Sequence, residues 1–300
     1  MEIIEYRLGE RYFDSCVIAL GFFDGVHLGH RDLLKRAREA AARLKVPFGV
    51  FTFRSSGNIK AGAKRIYTDT EKCEILAELS ADFTVLAEFS ELSGISAEEF
   101  VSRVLIDGFG ARIAVAGFNY RFGKGASGDA SALSALMKAV GSEALICEEF
   151  KLDGKTVSTT LIREALALGD IKKAERLLGA PYKIKGVVAH GRGEGTRLGF
   201  PTLNTHPTPE ILLPKKGVYH TEARVGGTLY SALTNVGTCP TFDERELHLE
   251  TYLLDFSGNL YDEEISIYFI DYLREEKRFS SEKELIMQIN VDKNKVLNKT

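Results

Sequence analysis

"GFFDGVHLGH", Gly21 to His30, stands between the apolar run "SCVIAL" and the long helical pattern "RDLLKRAREAAARLK". Two of the chain's six histidines, His27 and His30, lie in it three residues apart, among Gly21, Gly25 and Gly29. An apolar run that enters a glycine-rich turn and leaves as a helix reads as the strand–turn–helix step of a parallel α/β sheet. Ligands of such sheets bind at the carboxyl edge. There the free N–H groups of a helix's first turn, with its dipole, form an anion site. Gly25 and Gly29 let backbone approach a phosphate, and both imidazoles can donate to phosphate oxygens and to charge that develops on them. The turn therefore suits attack on a nucleotide's α-phosphate with pyrophosphate leaving, a reaction of positioning and electrostatics. Metal ligation is the weaker reading, because no third ligand is near and structural zinc normally takes four. Ordinary turn residues are the other alternative, against which strand, glycines and helix converge.

Outward from this turn, the first 180 or so residues alternate. Apolar runs "CVIAL", "PFGVFTF", "FTVLAEF", "ARIAVAG" and "ALICEEF" read as strands. Helical patterns over Arg31–Lys45, Glu71–Leu79, Ala97–Ile106 and Ala130–Val140 lie between them. Buried strands alternating with helices predict a parallel sheet covered on both faces. Two more helical stretches follow, "STTLIREALALG" and "DIKKAERLLG", with Asp170 as a cap and Gly169 and Gly179 as stops. At "GAPYKIKG" the pattern changes to glycine-punctuated strands, as in a barrel, with hairpin turns expected at Gly226–Gly227 and Ser257–Asn259. A last helix is expected over Ser281–Ile289. The expected domains are residues 1–182, α/β, and 183–300, all-β.

Lys plus Arg is 39 and Asp plus Glu 42, a net charge of -3, which argues against a general nucleic-acid binder. Cys16, Cys73, Cys147 and Cys239 are far apart and suggest neither zinc nor a disulfide framework. No apolar signal core or bilayer-length run occurs, so a reducing cytoplasm is the expected location.

"FDGVHLGH" resembles the HxGH signature of the nucleotidyltransferase superfamily and, more narrowly, that of bacterial bifunctional riboflavin kinase/FMN adenylyltransferases, the FAD synthetases. "AGFNYRFGKGASGD", Ala116 to Asp129, and "VSTTLIR", Val157 to Arg163, resemble that family's next two site segments. The resemblance implies a Rossmann-like HxGH domain in which His27 and His30 are catalytic. It also implies that Gly21, Phe23, Asp24, Gly29, Ser158, Thr159, Thr160 and Arg163 bind nucleotide, and that Asn119, Arg121 and Asp129 bind flavin. Taken singly, Asn119 has a turn residue as its lesser reading, Ser158 to Thr160 read also as helix caps, and Arg163 more often as a solvated charge. The chain departs from the family pattern at Phe22, at Ala126, at Thr159, and in "FTFRSSGNIK", which lacks the usual prolines.

In the second half, "AHGRGEGTRLGFPTLN" carries Gly191, Gly195 and Gly199 in a loop with no helix after it, so it is neither a P-loop nor a dinucleotide fingerprint. "GFPTLN" resembles the PTxN motif of riboflavin kinases. The resemblance implies Mg2+ held with ATP by Thr202 and Asn204, oxygen ligands suited to a hard cation. "TNVGTCPTF", with Asn235, Gly237, Pro240 and Phe242, and "LHLETYLLDFSGNLY" match in order. The second maps the family's catalytic glutamate to Glu250. Strand alternation sets Leu247, Leu249, Thr251 and Leu253 on one face, and Glu250 on the other with His248 and Tyr252. Arg274 is expected at a phosphate or flavin, or in a surface ion pair. Over roughly residues 15–292 the resemblance implies a Rossmann-like α/β domain and a six-stranded β-barrel with a terminal helix. The implied reactions convert riboflavin to FMN and FMN to FAD with ATP, with Mg2+ and small-molecule substrates, no nucleic acid or membrane partner, and a monomer or weak oligomer. A different adenylyltransferase would share only the first half, and a flavin-binding regulator with weakened activity is the rival of another class.

Overall fold

The computed structural model describes residues 1–54, 64–191, 193–238 and 247–298, and the chain divides into two compact units, Met1–Thr159 and Thr160–Thr300. In the first, strands β1 (Glu2–Glu5), β2 (Cys16–Leu20), β3 (Phe48–Phe53), β4 (Phe83–Ala87), β5 (Ala111–Gly117) and β6 (Glu143–Cys147) form one sheet. Its order is β1-β4-β3-β2-β5-β6 and every pairing is parallel. All five residues of β2 and of β4 are buried, as a sheet covered on both faces requires. Strand β2 pairs with β3 on one side and β5 on the other. The chain thus reverses direction across the sheet at β2, and the crevice beyond such a reversal is where open α/β sheets bind ligands.

Helix α1 (Leu28–Leu44) leaves β2, and α2 (Asp69–Glu78) follows β3. Thr68 and Glu71 form a reciprocal capping box at the start of α2. The run "FTVLAEF" is strand only to Ala87, and Phe89–Leu92 turns as the short helix α3. The pattern over Ala97–Ile106 is α-helical only at α4 (Ala97–Glu99). It then widens into a π-helix, Phe100–Gly108, which buries Phe100, Val101, Val104 and Leu105 along one face. Helix α5 (Ala130–Ala139) precedes β6. Strand β1 and the two-residue hairpin strands β7 (Lys151–Leu152) and β8 (Lys155–Thr156) are further elements that periodicity does not announce.

Helix α6 (Thr159–Leu168) starts on the last residue of the first unit, and the rest of it lies in the second with α7 (Ile171–Leu178). The second unit then builds β9 (Tyr182–Ala189), the one-turn helix α8 (Glu194–Arg197), β10 (Thr202–His206), β11 (Gly217–Val225), β12 (Thr228–Thr238), β13 (Leu247–Leu253), β14 (Glu264–Arg274) and α9 (Glu282–Leu297). The six strands close as β10-β13-β12-β11-β14-β9, all antiparallel. Helix α7 packs on β9 and β14, burying Ile171, Ala174, Leu177 and Leu178. The second unit thus starts at Thr160, and the change from helical to strand pattern in the sequence comes within it, at residues 182/183.

Inside the barrel, Tyr219, Val236, Leu249, Ile267 and Phe269 are fully buried. The hydroxyls of Thr221, Thr234 and Thr251 join across three strands at 2.8 and 2.9 Å, so each buried hydroxyl has a partner. Gly226 and Gly227, both at positive φ, make the β11–β12 turn as expected. Ser257–Asn259 is not a hairpin, because β14 pairs with β11 and β9 rather than with β13. The glycine-rich loop contains α8, a short helix the sequence does not signal. Helix α9 runs past Ile289 because Asp292 and Val296 carry its buried stripe onward, and a buried aspartate does not register as an apolar position. Cys16, Cys73 and Cys147 are buried free thiols, while Cys239, Pro240 and Phe242 lie outside the described residues. No described helix is long and apolar enough to cross a membrane.

Candidate active sites

At the end of β2 the chain turns tightly. Phe23, Gly25 and Val26 all have positive φ, at 53°, 82° and 39°. For Phe23 and Val26 this is a costly conformation, held here because both side chains are fully buried. His27 caps α1, its Nδ1 accepting from the His30 N–H at 3.3 Å. That bond leaves the neutral His27 ring with its proton on Nε2. The two rings stack at 3.6 Å with 12° between their planes, and the buried Phe23 ring meets His30 edge-on at 5.1 Å. The His30 Nδ1 is buried without a partner among the described residues. Burial pulls the His27 imidazole down to about 4, and burial followed by the neighbouring His27 pulls His30 well below its ordinary value. Both rings are neutral at pH 7, and each can give an N–H to an anion without a standing charge.

The neighbours of the turn fall into place around it. The Gly21 N–H donates to the Phe51 carbonyl. A Cβ on Gly29 would lie 3.3 Å from the His27 ring, tighter than an ordinary contact. Asp24 accepts from the Ile66 N–H at 3.1 Å, and its carbonyl accepts from Thr159 Oγ1 at 3.1 Å, tying Thr159 to the turn. Ser158 precedes Thr159, while Thr160 and Arg163 lie on α6 beyond the division, in the second unit. Phe22 has the buried Lys72 ammonium over its ring at 5.6 Å. Lys72 also pairs with Asp69 at 3.2 Å and donates to the Phe53 carbonyl at 3.0 Å. Lys72 is a buried cation at the carboxyl edge that the motifs do not announce. Asn119 is exposed just after β5. Arg121 pairs with Asp129 at 3.6 Å, and Asp129 caps α5 by accepting from the Ala132 N–H at 2.9 Å.

The second site is built by strand register. Antiparallel pairing sets Asn204 of β10 opposite Glu250 of β13, and Glu250 opposite Asn235 of β12. Thr202, two residues before Asn204, shares its face. These four residues line a cavity of about 520 Å³, with His190, Gly191, Gly195, Tyr252 and Arg274. Gly199, at φ +86°, does not line it. The cavity's apolar side comes from Val218, Leu233, Leu285 and Ile289. Alternation holds as read: Leu249, Thr251 and Leu253 point inward and are buried, while His248, Glu250 and Tyr252 face the cavity.

Gly191 lies close against Asn204: a Cβ there would lie 2.0 Å from the Asn204 amide nitrogen and would displace the end of that side chain. One on Gly195 would lie 3.0 Å from Thr202 Oγ1. The loop backbone is thus pressed against the two oxygen donors, leaving room that a side chain would fill. A hydroxyl and an amide carbonyl fit Mg2+, which keeps several waters and takes the rest of its shell from phosphate. No cluster of three or more His, Cys, Asp or Glu fit for a metal occurs among the described residues.

Arg274 is committed to α9. Its Nε donates to Asp292 Oδ2 at 2.7 Å, with Asp292 only 1% exposed, and its Nη1 donates to the Glu275 carbonyl at 3.0 Å. The pair is a buried one, not the surface ion pair that sequence allows as the alternative. Glu276, also on the cavity, accepts from Asn235 Nδ2 at 3.2 Å. Sequence spacing gives no sign of it, because it follows β14 and reaches β12 only through the closed barrel.

A histidine pair on a strained turn at a sheet reversal, and a barrel cavity with convergent oxygen donors and the Glu250 carboxylate, define a class: an HxGH α/β nucleotidyltransferase fold joined in one chain to a flavokinase-type barrel. The comparisons agree in the same order along the chain. The FAD synthetase family model matches residues 10–161, and the riboflavin kinase family model matches residues 178–300. The bifunctional riboflavin kinase/FMN adenylyltransferase of Pseudomonas fluorescens is 36% identical over 93% of this chain and 91% of its own length. Those of Listeria monocytogenes, at 34% over 92% and 90%, and Escherichia coli K12, at 33% over 96% and 93%, are similarly close. The chain belongs to the bifunctional riboflavin kinase/FMN adenylyltransferase family. A solved structure described as a macrolide-efflux protein from Streptococcus pneumoniae superposes with a TM-score of 0.90 at 29% identity, covering 99% of both chains.

Proposed function

We propose that this chain phosphorylates riboflavin to FMN in the barrel cavity and adenylylates FMN to FAD at the HxGH turn. The observation that carries the reading is the meeting of Thr202, Asn204 and Glu250 on one cavity in a chain that also stacks His27 on His30 at a helix start.

In the barrel, Glu250 takes the proton of the terminal ribityl hydroxyl. The freed oxygen forms a bond to the γ-phosphorus of ATP, the bond from that phosphorus to the bridging oxygen breaks, and ADP leaves. Thr202 and Asn204 would hold Mg2+ carried in with the nucleotide, which there offsets phosphate charge. The glycine-rich backbone at Gly191 and Gly195 lies along the phosphates, and the apolar side of the cavity takes the flavin ring. At the HxGH turn, an FMN phosphate oxygen attacks the α-phosphorus and pyrophosphate leaves. His27 Nε2–H and His30 donate to the charge that gathers there, and the first turn of α1 adds its N–H groups. Gly21, Phe23, Asp24, Gly29, Ser158 and Thr159 complete the nucleotide contacts within this unit, and Asn119 and Arg121 the flavin contacts. Asp129 acts by holding Arg121 and α5. Arg274 anchors α9 at the cavity wall.

The reading extends to a cytoplasmic enzyme whose partners are small molecules, acting as a monomer or weak oligomer without nucleic acid or membrane. The test is incubation with riboflavin, ATP and Mg2+, with the three flavins resolved by chromatography. FMN should form first and FAD after it, and FMN supplied alone with ATP should give FAD. Binding of riboflavin without turnover would favour the regulator instead.

A further inference from the structure

Glu250 does not stand alone on its strand. His248, two residues earlier on β13, projects from the same face, and its Nε2 lies 3.2 Å from Glu250 Oε1. A carboxylate can only accept, so the imidazole donates through Nε2–H. The two differ in burial: the His248 side chain is 7% exposed and that of Glu250 43%. The histidine is packed into the wall while the carboxylate reaches the open cavity. The other side chains around Glu250 are committed or neutral. Asn204 and Asn235 flank it across the strands, but Asn235 gives its Nδ2–H to Glu276. The His206 ring on β10 lies 6.4 Å from that of His248, centroid to centroid.

A half-exposed glutamate on a strand has three freely turning side-chain torsions, and a base works only when its oxygen sits within hydrogen-bond reach of the proton it takes. Pinning one oxygen to a buried ring leaves the other aimed into the cavity. We infer that His248 is a positioning residue for riboflavin phosphorylation, acting by holding Glu250 Oε1 so that Oε2 meets the substrate hydroxyl. This rests on the reading of Glu250 as the base. His248 itself is too enclosed to take that role.

The experiment compares His248→Leu and His248→Gln in the full-length chain, each alone and combined with Glu250→Gln. Gln places an N–H as far from Cα as the imidazole does, whereas Leu fills the space without a donor. Misplacing a catalytic group costs rate rather than affinity. His248→Leu should therefore lower kcat for riboflavin phosphorylation about tenfold, with KM for riboflavin and ATP unchanged. His248→Gln should recover most of the rate. In the Glu250→Gln background His248→Leu should add almost nothing, because the group it positions has gone. An unchanged kcat, an equal further loss in the Glu250→Gln background, or equal losses in the Leu and Gln variants with lowered melting temperatures would each overturn the proposal. Near-normal phosphorylation by Glu250→Gln alone would show that the failure lies in the base assignment, and His248 would fall with it.

Discussion

The two candidate sites are built in opposite ways. At the HxGH turn, His27 and His30 are three residues apart and fixed by a helix cap and a strained turn; His27 is buried and His30 partly so, and both titrate below the ordinary imidazole value. In the barrel, the cavity draws on residues from His190 to Asp292, brought together by strand register, and its carboxylate is half-exposed. A local site is specified by a short segment and its burial. A register-built site depends on every pairing between β10, β13 and β12, because a slip of one residue would turn Glu250 into the barrel interior.

That contrast sets the expected effects of perturbation. The largest is at the barrel. Glu250→Gln keeps the shape and removes the basic oxygen, so riboflavin phosphorylation should fall by about 10²–10⁴, the usual contribution of a general base. Steady-state rates with riboflavin as substrate measure it, and FAD formation from supplied FMN should be unaffected. At the turn, His30→Ala removes one donor to the developing charge and should slow FAD formation by about 10²–10³ while FMN formation continues. An equal loss of both activities would mean that the turn supports the fold of the whole chain rather than one reaction.

Burial of the histidines also makes a prediction for stability. The folded His27 titrates at about 4 against an ordinary 6.5. Between these values the unfolded chain binds the proton and the folded chain does not. Stability therefore rises with pH through that window, is complete above 6.5, and is lost as pH falls toward 4. The contribution is on the order of 3 kcal/mol. Denaturant unfolding followed at pH 7, 6, 5 and 4 should show a smaller decline for His27→Gln than for the parent. An identical decline would place the histidine in solvent.

The smallest effect concerns the glycine-rich loop. A methyl on Gly191 would meet the Asn204 amide at 2.0 Å, so Gly191→Ala must displace either the loop or that amide. Riboflavin kinase activity should fall about tenfold, with a raised KM for ATP, since metal and phosphate contacts are made on both sides of the clash. Unchanged ATP dependence would break the link between loop and donors.

How far the sequence is legible follows the same divide. Periodicity and glycine placement are enough to find β2, the turn and α1, because all their determinants are contiguous. The alternation of β13 correctly separates Leu249 and Thr251 from His248 and Glu250. Long-range pairing leaves no trace in spacing. Ser257–Asn259 looks like a hairpin turn only until β14 is found beside β11 and β9. The commitment of Arg274 to a buried Asp292, and of Asn235 to Glu276, depends on where α9 and the segment after β14 close against the barrel. Helix α9 itself is longer than its apolar pattern because a charged residue occupies a buried position on it.

The central claim is that one chain holds two separate sites, one for each reaction. It is tested by mixing two inactive halves: His30→Ala, which retains only the kinase, and Glu250→Gln, which retains only the adenylyltransferase. Supplied with riboflavin and ATP, neither variant alone should accumulate FAD at more than about a hundredth of the parent rate, whereas the mixture should make it after a lag in which FMN appears. A mixture that makes FMN but no FAD, while Glu250→Gln still converts added FMN at the parent rate, would contradict it.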